Sequence, residues 1–389
     1  MPTPRLVKIG LQSDPGILHH FLEKPAVEIL NDTQGMHLAL QWAAKGLFTT
    51  TPNPRVGCVI VRDRRIIGEG YTQPAGQAHA EVQALNDAAR RGNDPRGATV
   101  YVTLEPCSHH GRTPPCADAL IRAGVGRVVM AMADPNPLVG GQGMARLQEA
   151  GIETVCGVLE QEAHEMNIGF FSRMQRGKPW IRMKAASSLD GKTALHNGHS
   201  QWITSQAARD DGHWWRARAC AILTGIGTVL EDDPQLNVRA IDTPRQPRRI
   251  VIDSKLQISP KARVLEGGGT WIAAAEANPV KEAVLRERGA EVIVLPDAHG
   301  KVDLPALMLE LGRRQINEVH VEAGFKLNGS LIREYCVDEL LLYLAPNLLG
   351  DAQGLFDLKA LDRLDGKRLL SFHEVKQIGP DLRILARFL

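Results

Sequence analysis

Three side chains able to hold a metal, each placed where a predicted strand ends or a predicted helix begins, constrain this chain more than any other feature. His79-Ala80-Glu81 opens a predicted helix, Glu105-Pro106-Cys107 follows a predicted strand, and Cys116 opens the next helix. One imidazole and two thiolates are three protein ligands. A tetrahedral zinc ion would keep its fourth position for water, which is the arrangement of a catalytic rather than a structural site. Glu81, two residues past the histidine, would then carry protons between water and a departing amine.

The spacing departs from the general zinc-deaminase pattern, H-x-E followed by P-C-x-x-C. Here eight residues separate Cys107 from Cys116, in the run P-C-S-H-H-G-R-T-P-P-C. Cys107 must therefore sit on a loop leaving a strand, and Cys116 on a helix beginning at Pro114-Pro115. Proline is tolerated at a helix start, and the positive end of the helix dipole favours a thiolate there. Two buried structural cysteines and a chance His-Ala-Glu would leave the same letters. The common order of strand, ligand and helix favours the metal, and with it removal of an amino group from a nitrogen heterocycle.

The surrounding pattern alternates. Met36, Leu38, Leu40, Trp42, Ala43 and Leu47 fit a helix, and 56–61 with 65–71 read as a β-hairpin. Helix 79–91, strand 98–104, helix 115–124, strand 127–133, helix 142–150 and strand 152–157 follow. Such alternation predicts a mostly parallel sheet covered by helices, with ligands beyond the strand carboxyl ends. On that rim Asn53 offers an amide donor and acceptor to a pyrimidine. His109, His110 and Arg112 suit a phosphate or ribose, and Asp134 and Asn136 stand on a proline-stiffened loop. Each can equally be a satisfied loop residue. Cys58, inside an apolar strand, reads as core.

A chain of 389 residues exceeds what one core usually holds, so two domains are expected. Net charge is +2 with no dense basic stripe, which lacks the footprint of a nucleic-acid binder. No apolar run reaches the ~18 residues of a membrane span. The opening Met1-Pro2-Thr3-Pro4-Arg5 lacks the apolar core of a secretion signal. Six cysteines in so long a chain are not a disulfide framework, so a reducing compartment, the cytoplasm, is expected. Residues 1–33 show no strong periodicity and read as an extension of unclear order, or as upstream of a start near Met36.

The runs T-P-N-P-R-V-G-C-V-I-V (51–61), H-A-E (79–81), E-P-C-S-H-H-G-R-T-P-P-C (105–116) and D-P-N-P (134–137) are far longer than zinc ligation requires. They resemble the bifunctional riboflavin-biosynthesis deaminase–reductases. The likeness extends past a break at Arg176-Gly177-Lys178-Pro179, through R-M-K-A-A-S-S-L-D-G-K-T-A (182–194), S-Q-W-I-T (200–204), 224–239, R-I-V-I-D-S (249–254) and V-E-A-G-F-K-L-N-G-S (321–330). The resemblance covers roughly residues 31–389. It implies an α/β chain with a cytidine-deaminase-like three-layer α/β/α domain over 34–175 and a dihydrofolate-reductase-like α/β domain over 176–389.

Its cofactors would be one zinc per chain, held by His79, Cys107 and Cys116 with Glu81 catalytic, and NADPH. By the same resemblance Ala186, Trp202, Thr228, Asp232, Ser254, Gly324, Phe325, Lys326, Leu327, Asn328, Gly329 and Ser330 would contact NADPH. Ser200, Arg216, Leu236, Arg239 and Glu322 would hold the reductase substrate, and Asn53, His110 and Asp134 the deaminase substrate. The arginines suit a phosphate, and Lys184 and Asp190 would be polar residues near the reacting carbon. Gly225-Ile226-Gly227-Thr228 lacks the third glycine and acidic partner of a Rossmann fingerprint. Ala323 stands where the family usually has glycine.

The expected partner is a small phosphoribosyl pyrimidine, with neither nucleic acid nor membrane, in a homo-oligomer. A nucleoside or tRNA-base deaminase with an unrelated fused domain is the alternative enzyme. A nucleotide-sensing module at 180–389 is the non-enzymatic alternative.

Overall fold

Asn31 starts the first helix: its side chain accepts from Gln34 N–H at 3.0 Å, capping α1 (Asp32–Lys45). The structure, a computed structural model, describes residues 28–109, 114–136 and 140–389. The remainder of the proposed extension (1–27), His110, Arg112 and Pro137 lie outside the described residues. α1 opens four residues before Met36. Asp32 in its first turn is paired with Arg127 at 2.7 Å.

β1 (Gly57–Arg62) and β2 (Arg65–Tyr71) form the expected hairpin, with Asp63 and Arg64 at positive φ in the turn. Then come α2 (Ala80–Arg90), β3 (Thr99–Val102), α3 (Cys116–Ala123), β4 (Arg127–Met130), α4 (Gln142–Glu149) and β5 (Glu153–Cys156). The sheet order is β2-β1-β3-β4-β5. It is less parallel than expected. β3, β4 and β5 run together, whereas β1 is antiparallel to both β2 and β3. A tight hairpin reverses the chain, and only a helical crossover restores direction. Gly57 lets α1 lie directly on β1, for a Cβ there would sit 1.9 Å from the Ala39 carbonyl oxygen.

Two helices, α5 (Glu160–Met166) and α6 (Ile168–Arg176), lead out of this layer. Gly177, at φ 70°, ends α6 in the left-handed conformation before β6 (Trp180–Ser188) begins. The second half comprises β7 (Lys192–Ala194), α7 (Gln206–Arg218), β8 (Ala221–Gly225), α8 (Ile226–Asp232), β9 (Arg248–Ile252), β10 (Thr270–Ala274), α9 (Pro279–Glu287) and β11 (Ala290–Val294). It continues with α10 (Leu304–Arg313), β12 (Glu318–Val321), α11 (Phe325–Arg333), β13 (Glu339–Ala345), β14 (Gln353–Gly354), β15 (Leu370–Ile378) and β16 (Asp381–Phe388).

Nine of these strands form one sheet, ordered β11-β10-β9-β8-β12-β6-β13-β16-β15, while β7 and β14 pair separately. From β11 to β13 all neighbours are parallel, and the antiparallel β16 and β15 complete the far edge. Successive residues go to opposite faces. Leu223, Ile250 and Ile252 pack into one core with α10 and α11, whereas Ile222 and Val251 pack into another with Val229 and Leu285. Burial on both faces is why these central strands read as apolar runs without alternation. The parallel strands bring Ser188, Gly225, Ser254 and Glu322 to one edge.

Candidate active site

His79 holds the N-cap of α2 in extended backbone and makes no capping bond with its side chain. The imidazole serves the thiols instead. Its Nδ1 lies 3.7 Å from Cys107 Sγ and 3.4 Å from Cys116 Sγ. Tetrahedral zinc, with bonds of about 2.0 Å to nitrogen and 2.3 Å to sulfur, separates such atoms by ~3.6 Å. All three donor atoms lie within 4.8 Å of one another, so the residues present fit the ion. Cys116 is the first residue of α3, with Pro115 as its N-cap, one residue later than the sequence pattern suggests.

Cys116 also donates its backbone N–H to Cys107 Sγ at 3.3 Å. The Cys116 thiol, with help from His79 and that N–H, pulls Cys107 down to about 4, while Cys116 itself is pushed up. A zinc ion held here would take both sulfurs as thiolates. Glu81 is 4% exposed in the first turn of α2. Burial, reinforced by the Cys107 charge, pushes its carboxyl up to about 7.

Glu105, in the same motif as Cys107, is a clamp. Its Oε2 accepts from the backbone N–H of Asp134 at 3.0 Å and of Gly141 at 2.9 Å, and Oε1 accepts from Met144 N–H at 3.0 Å. It thereby ties the Cys107 loop to the Asp134 loop and the start of α4. A cavity of about 260 Å³ opens beside His79 and Cys107 and is walled by Asn53, His109, Phe170, Arg173 and Gln315. Asn53 is where the sequence placed it. Among the described residues Asp134 does not line this cavity. Its Oδ1 accepts from Asn136 N–H at 2.8 Å, and burial raises its carboxyl. Arg173 and Gln315 escaped sequence reasoning, because one lies on a connecting helix and the other on a reductase-half turn, far from any motif.

The second site lies along the carboxyl edge of β6, β8, β9 and β12. Gly324 caps α11, and a Cβ on it would stand 3.7 Å from Thr228 Oγ1, so the loops after β8 and β12 meet. Ser254 follows β9, where its Oγ accepts from Val302 N–H at 3.2 Å. Ala186 is half-buried on β6, Asp232 is exposed at the end of α8, and Ser200 and Trp202 are exposed ahead of α7. Within 324–330, Asn328 and Gly329 face inward. Asn328 donates to the Ala323 carbonyl at 3.0 Å, and a Cβ on Gly329 would strike Asp357 O at 2.2 Å. Small residues and free helix N–H groups at this edge suit a dinucleotide pyrophosphate.

Charged side chains gather around Glu322 at that edge. Arg216 pairs through two nitrogens with Glu322 and donates to Asn237 O at 3.1 Å. Burial alone would raise the Glu322 carboxyl, but Arg216 and His320 hold it well below the carboxylate range. Burial lowers the Lys184 ammonium, and the Arg216 charge adds to that. Arg239 stays exposed, with one side-chain contact to Asn237 Oδ1 at 3.2 Å. Leu236 is buried at φ 48° in the same segment. Of the two arginines, only Arg239 has its fork largely free for a phosphate.

Comparison with known proteins places both halves of the chain in one family. Residues 30–132 match the cytidine and deoxycytidylate deaminase zinc-binding region, and 179–384 match the RibD C-terminal domain. The chain is 48% identical to the riboflavin biosynthesis protein RibD of Escherichia coli, over 91% of this chain and 98% of that protein. It is 46% identical to the Haemophilus influenzae RibD, over 90% and 95%. An Acinetobacter baumannii RibD structure superimposes with a TM-score of 0.85 at 40% identity, covering 92% of this chain and 99% of that one. A Thermotoga maritima diaminohydroxyphosphoribosylaminopyrimidine deaminase/5-amino-6-(5-phosphoribosylamino)uracil reductase does so with a TM-score of 0.81 at 33% identity, covering 92% and 99%. The metal-fitting ligand set lies in the half that matches a zinc-binding deaminase region, the other half matches the RibD C-terminal domain, and the chain belongs to the RibD deaminase–reductases of riboflavin biosynthesis.

Proposed function

We propose that the two halves act in succession on one phosphoribosyl pyrimidine. The first hydrolyses 2,5-diamino-6-ribosylamino-4(3H)-pyrimidinone 5′-phosphate to its deaminated product and ammonia. The second reduces the ribose of 5-amino-6-(5-phosphoribosylamino)uracil to ribityl. The reading rests above all on His79, Cys107 and Cys116 standing at tetrahedral spacing, with His79 and Cys107 in the wall of a cavity of about 260 Å³ and Cys116 buried behind them. That space suits a small heterocycle. The activity named for the Thermotoga maritima relative supports the same substrates.

Bound by these three residues, zinc supplies Lewis acidity and lowers the pKa of water. Glu81 takes a proton from the attacking water and returns it to the departing amine. Asn53 orients the pyrimidine on the cavity wall, with His110 as a further substrate contact, while Asp134 serves the neighbouring loop through Asn136 N–H. In the second half NADPH supplies the hydride. The cofactor lies along Ala186, Trp202, Thr228, Asp232, Ser254 and 324–330, and the substrate against Ser200, Arg216, Leu236, Arg239 and Glu322. Arg239 takes the phosphate, while Arg216 keeps Glu322 ionised and fixed. We divide the domains at 34–175 and 176–389, at the last residue of α6 and ahead of β6. Six unbridged cysteines fit a reducing cytoplasm.

The test is to follow ammonia release and NADPH loss separately. A chelator should abolish ammonia release from the diamino substrate and leave NADPH oxidation by the deaminated substrate intact. Loss of both would sink the assignment of independent sites.

A further inference from the structure

The loop that carries Asn53 is seated on the reductase half at three successive points. Thr51 Oγ1 meets Cys220 Sγ at 2.9 Å, Pro52 O accepts from Asn317 Nδ2 at 3.0 Å, and Arg55 Nη1 pairs with Glu318 at 2.5 Å. Arg173 on α6 completes the second point. It donates from Nε to Asn317 Oδ1 at 2.6 Å and from Nη2 to the same Pro52 carbonyl at 3.2 Å. Asn317 is buried and uses both ends of its amide in this triangle.

The triangle borders the substrate cavity. Pro52, Asn53, Arg173 and Gln315 all line it, together with His79 and Cys107. Gln315, at φ 64°, belongs to the turn that joins α10 to β12 in the reductase half. The deaminase cavity is therefore closed on one side by residues from beyond its own sheet.

We infer that Asn317 is a positioning residue for deamination: through Pro52 O and through Arg173, itself on the cavity wall, the reductase half holds the Pro52-Asn53 loop in the place where it meets the pyrimidine. This rests on the cavity being the deaminase substrate site. Asn317 touches no proposed metal ligand, and its side-chain hydrogen bonds end on Pro52 and Arg173. Its loss should therefore loosen substrate binding while the chemistry at Glu81 stays intact. A buried, doubly used amide that fixes a backbone carbonyl is a geometric constraint of this kind.

The experiment uses the full-length protein. In Asn317→Ala, the KM for deamination of the phosphoribosyl pyrimidine should rise about five- to tenfold, the factor carried by one or two net hydrogen bonds. Its kcat should stay within about twofold, because the proton shuttle is untouched. Bound zinc and the reductase KM for NADPH should match wild type. Asn317→Asp, which keeps the acceptor for Arg173 and removes the donor to Pro52 O, should show the same split and keeps the question answerable if Asn317→Ala misfolds. Unchanged deaminase KM in either folded variant overturns the inference, while wild-type turnover leaves the substrate reading standing. Equal losses of both activities with a lowered thermal midpoint also overturn it, since they mark a purely structural role.

Discussion

At the scale of single residues, the ligands and the proton carrier separate by what each loses on substitution. Cys107→Ala removes one of three donors, and metal analysis should show zinc content falling well below one per chain. Glu81→Gln keeps the shape of a side chain that is 4% exposed and contributes no ligand atom. Zinc should stay bound, while ammonia release falls at least ~10²-fold, the lower range for a lost general acid/base. Near-normal deamination by that variant would remove Glu81 from the mechanism. In the other half, Arg239 is the exposed cation near the proposed phosphate position. Arg239→Ala should weaken the reductase substrate by roughly 1.5–3 kcal/mol, the worth of a charged hydrogen bond, with NADPH affinity unchanged. Weakening of NADPH alone would transfer this arginine to the cofactor.

At the scale of elements, loops are held by carboxylates that no motif scan separates from catalytic ones. Glu105 lies two residues before a ligand, yet its oxygens take three backbone N–H groups from the 134–144 segment. In Glu105→Gln an amide NH₂ must face donors it cannot accept from. About 1–3 kcal/mol of stability should be lost, read as a lower denaturation midpoint with zinc bound. An unchanged midpoint would show that the loop has another anchor. The helix starts, by contrast, were legible beforehand. Cys116 at the start of α3 and His79 at the cap of α2 follow from local residue types, and the boundaries moved by only one residue or so.

For the whole molecule, the decisive feature is a buried chain of charge joining the halves. Glu318, fully buried, pairs with Arg55 from the deaminase half at 2.5 Å, Arg218 at 2.8 Å and Arg182 at 3.1 Å. Arg182 also pairs with Glu339 at 2.5 Å. Arg387 then links Glu339 at 2.9 Å to Glu165 at 2.6 Å. Burial would raise the Glu318 carboxyl, but its three arginines hold it far below the carboxylate range. Because the folded pKa is depressed, this stabilisation is complete above the unfolded value of about 4.3. It is lost as pH falls through the folded value, since the unfolded chain then binds the extra proton. Glu318→Gln should leave three guanidinium groups facing a neutral amide and cost about 3–5 kcal/mol. Urea unfolding near neutral pH should show that loss, with a weaker acid dependence below about pH 4.3 than wild type. Wild-type stability in the variant would mean that the arginines find other partners.

The sequence by itself determined the family, the order of strands and helices in the deaminase half, and the three candidate ligands that the fold brings within 4.8 Å of one another. These depend on residue type and short-range period, and a chain carries both locally. Only the tertiary structure decided what the far-separated segments do to one another. Arg55 and Glu318 are 263 positions apart, and Arg173 and Asn317 are 144 apart. No periodicity pairs them. The antiparallel placement of β1 against β3, the inward turn of Asn328 and the occupation of Arg216 by Glu322 are likewise outcomes of packing. A buried donor or carboxylate takes the partner that the assembled fold supplies, because leaving it unpaired away from water costs more than any local preference.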